Sequence, residues 1–171
     1  KAVEVMRRGG VILYPTDTAW GIGCDATNAE AVARIYEIKR RVESKSMIVL
    51  VDSMAKIEGY VREVPDIAWD LIDVADKPLT IIYDNAKNLP DNLVADDGSI
   101  AIRITKERFS QELCRMMRVP VVSTSANVSG EPTARNFFEI SDEILTAVDF
   151  VVDYRREEEI LPAPSSIIKL G

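Results

Sequence analysis

Apolar and polar positions alternate along the chain in two periods. Short β-branched runs at Val11 to Tyr14 and Met47 to Val51 have the continuous apolar character of buried strands. Between them, Ala29 to Arg41 repeats apolar residues at helical spacing, and Met54 to Asp73 reads as further helix. Strands are predicted again at Leu79 to Tyr83, Ile100 to Ile104, Val119 to Ser123, Phe150 to Asp153 and Ser166 to Leu170, with helices at Ala2 to Arg8, Glu107 to Met117 and Phe137 to Leu145. Seven or more strands interleaved with helices predict an α/β fold: a mixed sheet with helices packed on it. The Gly9-Gly10 pair predicts the stop of the first helix, and Thr27 or Asn28 the N-cap of the second. With neither a repeat nor a long linker, residues 1–171 are expected to form a single domain.

Composition narrows the chemistry. The 171 residues contain no histidine, which excludes histidine triads, histidine zinc sites and imidazole proton shuttles. Cys24 and Cys114 are far apart and fit no paired-cysteine metal or disulfide pattern, which suits a reducing compartment. No stretch approaches the roughly 18 to 20 continuous apolar residues of a membrane span, and no signal peptide is visible, so a cytoplasmic protein without membrane attachment is expected. The chain opens at Lys1 inside a helical pattern without a methionine, so residues upstream of it are expected in the natural protein.

The net charge of −7 argues against broad electrostatic attachment to nucleic acid, but it is unevenly spread. Residues 1–50 are net +2 and residues 51–100 net −7. The acidic middle reads most simply as a solvated face.

Four segments could carry chemistry. Tyr14 to Gly23 combines proline, hydroxyls and two glycines after a strand, reading either as a site-forming turn or as a self-capped hairpin. In the second helix, Val32, Ile35 and Tyr36 form an apolar stripe whose next position is Lys39, which therefore points inward or to a cleft edge. Arg40, Arg41 and Lys45 follow; they could answer the helix C-terminus, with Glu37 pairing Arg41, or gather an anion. Lys39 and Arg41 diverge by about 200° on a regular helix, so serving one anion requires the helix to end near residue 40. Arg103 shares a strand face with Ser99 and Ala101, and wants a carboxylate or phosphate partner, internal or bound. Ser123 to Thr133 concentrates hydroxyls and one amide, suited to phosphate oxygens or to a loop of local turns, and Pro164-Ser165-Ser166 repeats the theme on a smaller scale.

Taken in order, Tyr14 to Gly23 (family style Y-P-T-x-T-x-x-G-x-G), Lys39-x-Arg41, Ser99 to Arg103, Ser125-x-Asn127 within Ser123 to Gly130, and Pro164-Ser165-Ser166-Ile167 resemble the YrdC-type threonylcarbamoyl-adenylate synthases over nearly the whole chain. The resemblance implies a curved, twisted mixed sheet around an open concave cavity. It implies that Lys39, Arg41, Lys45, Ser125, Asn127 and Thr133 surround ATP with Ser99 near the nucleotide. Thr18, Arg103, Ser123 and Ser165 would surround threonine, and Tyr14 and Thr16 would line the pocket. Lys39 and Arg41 would stabilise the reacting phosphate, with Mg²⁺ brought by ATP and no protein-held metal. The implied reaction converts L-threonine, bicarbonate and ATP into threonylcarbamoyl-AMP and pyrophosphate, for threonylcarbamoyl-transferase proteins that modify adenosine 37 of tRNA.

The sequence departs from the family pattern in places. Ala75 to Thr80 replaces a W-P-G-P-L-T segment, Val42 and Ser46 replace usual proline or glycine, and Leu50 stands where some relatives have histidine. A C-terminal arginine segment common in relatives is not reached by Gly171. Two other functions share this fold: a double-stranded RNA or tRNA-binding module, to which overall acidity is opposed although Arg34 to Lys45 could give a weak contact, and the carbamoyl-transfer domain of hydrogenase maturation proteins.

Overall fold

The computed structural model describes residues 2–16, 20–39, 47–75, 79–95, 97–126, 140, 142–152 and 166–169, with backbone alone for 125 and 166–169. Its elements in chain order are α1 (Ala2–Arg7), β1 (Ile12–Pro15), β2 (Trp20–Gly23), α2 (Ala29–Lys39), β3 (Ile48–Val51), a 3₁₀ segment (Met54–Gly59), α3 (Asp66–Val74), β4 (Leu79–Tyr83), β5 (Ile100–Ile104), α4 (Arg108–Met117), β6 (Val121–Ser125), α5 (Asp142–Ala147), β7 (Phe150–Val151) and β8 (Ser166–Lys169).

The strands form one sheet in the order β7-β1-β2-β6-β3-β5-β4-β8. It is mixed, as expected: β1 with β7, β3 with β5 and β4 with β8 are parallel, while β1 with β2, β2 with β6, β3 with β6 and β4 with β5 are antiparallel. Alternation along each strand sorts side chains onto two faces. Leu13, Trp20, Ile22, Val49, Val51, Val122, Ile81 and Ile102 join the larger core with Val32 and Ile35 of α2 and Ile144 of α5. Ile12, Tyr14, Leu50 and Val121 occupy the other face and pack under Met6 of α1 and Leu113, Cys114 and Met117 of α4.

The local signals read from sequence are present. Gly9 takes a left-handed φ of +88°, and the Gly10 amide returns to the Val5 carbonyl at 2.9 Å, closing α1. Asn28 caps α2, its side-chain oxygen accepting the Ala31 amide at 3.1 Å. Next to that turn, Asp149 accepts the Val11 amide at 2.8 Å and pairs with Arg34, while Arg34 also donates to the Ala147 carbonyl at 3.0 Å. That clasp ties α2 to the α5–β7 corner.

Strand β7 is shorter than expected, ending at Val151, and β6 starts at Val121 rather than Val119; two further differences bear on the site. Tyr14 to Gly23 takes the hairpin alternative, β1 pairing antiparallel with β2, but Gly21 and Gly23 lie within β2 rather than at the bend, where neighbouring groups come too close for side chains. Strand β6 continues to Ser125, two residues past its expected end, because Thr124 and Ser125 pair with Ile22 and Gly21 of β2.

Helix α4 starts on Glu107, whose carboxylate accepts the Phe109 amide at 2.8 Å and the Ser110 amide at 3.1 Å. Glu107→Ala is expected to cost about 1 kcal/mol, the usual worth of an N-cap, read as a lower melting temperature with the fold retained. An unchanged melting curve would deny the cap its weight.

Candidate functional site

The face under α1 and α4 changes character across the sheet. Beneath the helices it is apolar. The register then places Gly21 and Gly23 of β2, Ser123 and Ser125 of β6, Ala101 and Arg103 of β5 and Thr80 of β4 on that same face. Arg103 thus lies between Leu50 and Thr80 on a face that carries small and hydroxyl-bearing residues further along.

The close approach centres on two glycines. A Cβ at Gly21 would lie 3.2 Å from the Ser123 hydroxyl and 3.5 Å from the Thr16 methyl, so Thr16 and Ser123 meet across a position that stays bare. A Cβ at Gly23 would lie 2.5 Å from Cε1 of Tyr14, so the Tyr14 ring lies flat across Gly23. The Tyr14 hydroxyl donates to the Val122 carbonyl at 3.0 Å, with Ser123 and the positive charge of Arg103 near enough to favour its ionised form. Burial pushes the Tyr14 phenol far above its ordinary range, and Cys24 likewise, so both remain neutral.

Arg103 is 3% exposed and sits between Leu50 of β3 and Thr80 of β4 in the ladder. A buried guanidinium needs acceptors to offset its desolvation, and its forked donors match a carboxylate. Ser99, on the same strand face, is engaged: its hydroxyl donates to Asp97 at 2.6 Å. Thr16 and Thr80 are buried as well.

Lys39 is the last residue of α2 and 2% exposed, as the stripe of Val32, Ile35 and Tyr36 requires. It belongs to the helix packed on the opposite face and opens residues 40–46, which carry Arg41 and Lys45. The structure therefore sets Tyr14, Ser123 and Arg103 on one sheet face, with Thr16 beside Gly21 and Ser99 leading into β5, while Lys39 ends the helix packed on the opposite face. Thr18, Arg41, Lys45, Asn127, Thr133 and Ser165 lie outside the described residues, and Ser125 is placed only by its backbone pairing with Gly21.

Thr80 and Asp97 were not foreseen as site residues. One threonine in an apolar strand carries no signal of its own, and its position beside Arg103 is a matter of register. Among the described residues, no group of three or more acidic or cysteine side chains is placed to hold a metal ion. No described helix is long and apolar enough to cross a membrane.

Comparison with known proteins gives a consistent result. Residues 4–171 match the Sua5/YciO/YrdC family, described as telomere recombination. A threonylcarbamoyl-AMP synthase of Stenotrophomonas maltophilia is 36% identical over 156 residues, 89% of this chain and 83% of that protein. One of Pseudomonas aeruginosa is 34% identical over 152 residues, 88% of this chain and 82% of its own. Among solved structures, P. abyssi Sua5 complexed with L-threonine superposes with a TM-score of 0.91 at 25% identity, covering 99% of this chain and 49% of that one. E. coli YciO superposes with a TM-score of 0.85 at 26% identity, covering 99% and 82%. Full-length HypF, at 18% identity and a TM-score of 0.83, shares the fold.

Proposed function

The chain belongs to the Sua5/YciO/YrdC family, and from that premise we propose that it is an L-threonylcarbamoyladenylate synthase. The observation that carries the reading is the meeting of Arg103, Ser123, Tyr14 and Thr16 on one small-residue face, in a fold shared with a Sua5 that binds L-threonine. As a nucleotidyltransferase it would act on ATP, and its product would serve tRNA modification.

In this reading the Arg103 fork receives the threonine carboxylate, and Ser123, with Thr18 and Ser165, receives its polar groups. Threonine, after its ammonium gives up a proton to solvent, and bicarbonate give N-carboxy-threonine with loss of water; its carboxylate attacks the α-phosphorus of ATP and pyrophosphate leaves. ATP enters as its Mg²⁺ complex, so the phosphate charge is partly neutralised before it meets the protein. Lys39, Arg41 and Lys45 answer the remaining charge, while Ser99, Ser125, Asn127 and Thr133 hold the nucleotide. No protein general base of high pKa is required, because the attacking group is already an anion. What the protein supplies is approach of two anions and stabilisation of charge at phosphorus.

The overall charge of −7 fits small anionic substrates drawn to a local cationic cluster better than a long nucleic acid. The test is pyrophosphate release with ATP, Mg²⁺ and bicarbonate: it is expected only when threonine is added. Equal release with serine or with no amino acid would remove the assignment. Lys39→Ala is expected to lower turnover by about 10²-fold, the scale of losing one electrostatic stabiliser, in protein that melts normally. A rate within twofold of wild type would return Lys39 to a packing role.

A further inference from the structure

Three large hydrophobic side chains are exposed among the described residues: Ile67 at 54% and Val74 at 78% on α3, and Met116 at 47% near the end of α4. Single exposed apolar side chains are ordinary. What sets these apart is that the two groups stand among charges of opposite sign. On α3, Ile67, Asp70 and Val74 fall at i, i+3 and i+7, one stripe of the helix, with Asp66 and Asp73 beside it, and all five are exposed. The helix contains no cation, and Lys106 reaches only the Ala75 carbonyl past its end, at 3.4 Å. Around Met116 the sign is reversed. Arg7 donates to the Met116 carbonyl at 2.9 Å, which gathers the exposed Arg7 and Arg8 at the end of α1 with the exposed Arg115 and Arg118 at the end of α4. Carboxylates there are fewer: Glu112, which pairs with Arg115, and Glu4 of α1. Leu71 and Ile72 seat α3 on the larger core, whereas Leu113, Cys114 and Met117 seat α4 on the other, so the two patches lie on opposite faces of the sheet and meet between molecules, not within one.

We propose that the two patches are complementary halves of one contact, the acidic face of α3 docking on the arginine-rich ends of α1 and α4 in a second copy of this chain. Ile67 and Val74 are spaced about 10 Å along the helix. Met116 and the aliphatic stems of the arginines supply apolar surface for them, while the guanidiniums meet the aspartates. The paired signs select this occupant. A nucleic acid is repelled by α3 and by the overall charge of −7, and an unrelated protein of either sign would answer one patch and leave the other. Because the patches differ, the contact is head-to-tail, and it builds a ring or an open chain. With so few apolar side chains it belongs to the weak, charge-steered class of contacts. It is independent of the synthase reading.

Sedimentation velocity tests it. For wild type, from micromolar to submillimolar protein, the mass is expected to rise with concentration beyond one chain. Asp70→Arg and Arg118→Asp, each with a normal melting curve, are expected to weaken association by about tenfold or more, because each sets like charges against one another. Mixed in equal amounts they are expected to associate again, since the first keeps the basic patch and the second the acidic one. Asp91→Arg makes the same charge change next to Asn92, which docks on the start of α2, and is expected to associate as wild type does. A single chain at every concentration would overturn the proposal and leave the patches to other proteins. So would association that survives either reversal, a mixture that stays apart, or a loss in Asp91→Arg equal to that in Asp70→Arg. Should a reversal not fold, Val74→Lys replaces Asp70→Arg and Met116→Asp replaces Arg118→Asp, with the same outcomes deciding.

Discussion

Gly23→Ala is expected to be among the most damaging single methyl additions to this chain. The new Cβ would sit 2.4 Å from the Val122 carbonyl oxygen and 2.5 Å from Cε1 of Tyr14. Neither can retreat. Val122 lies in β6, between β2 and β3, and its carbonyl accepts the Tyr14 hydroxyl; the ring is sealed between the sheet and α4. Overpacking a core usually costs about 1–3 kcal/mol, and a clash against backbone on one side and a fixed ring on the other belongs at or above the top of that range. For a chain of this length, about 3 kcal/mol corresponds to a melting temperature lower by roughly 6–12 °C. Gly59→Ala is the control: nothing lies within 4 Å of its Cβ position, so its melting curve should stay close to wild type. Melting of Gly23→Ala at the wild-type temperature would mean that the β1–β2–β6 stack is looser than described.

Arg103→Met is expected to lower kcat/KM for threonine by about 10²–10³-fold with the protein still folded, because methionine keeps the apolar stem and removes the charge. The expectation follows from location. Arg103 is flanked in the ladder by Leu50 and Thr80, shares its sheet face with Tyr14 and Ser123 and is buried, so a substrate carboxylate there would meet a forked donor shielded from water. Arg103→Lys should recover only part of the loss, since a single ammonium cannot reproduce two parallel bonds. Steady-state kinetics in threonine at saturating ATP provide the measurement. An Arg103→Met enzyme within threefold of wild type would place the arginine in a structural ion pair, the other reading its strand position allowed.

Much of the architecture was legible because its signals are local. Alternation and helical spacing depend on neighbours in sequence, as do the Gly9 stop and the Asn28 cap. So is the inward aim of Lys39, which follows from the stripe of Val32, Ile35 and Tyr36. Sequence left a hairpin and a site-forming turn open for Tyr14 to Gly23; that its glycines lie inside β2 was hidden, because they answer to Tyr14, Ser123 and Val122, contacts invisible without the register. For the same reason Thr80 drew no attention although it lies opposite Arg103. Arg103 and Ser99 were placed on one face by counting in twos, but the commitment of Ser99 to Asp97 depends on how the chain turns before β5. Hydroxyl density marked Ser123 to Thr133 as a binding segment; that Ser125 also sits within the strand, two residues past its expected end, came only from the pairing with β2.

The central claim is that this sheet face joins threonine and carbon dioxide equivalents to AMP. The most direct measurement is mass spectrometry of the nucleotide product after incubation with ATP, Mg²⁺, L-threonine and ¹³C-bicarbonate. The account predicts a threonylcarbamoyl-AMP that carries the label and vanishes when threonine is left out. An adenylate lacking the label, or no adenylate beyond ATP and its hydrolysis products, would contradict it.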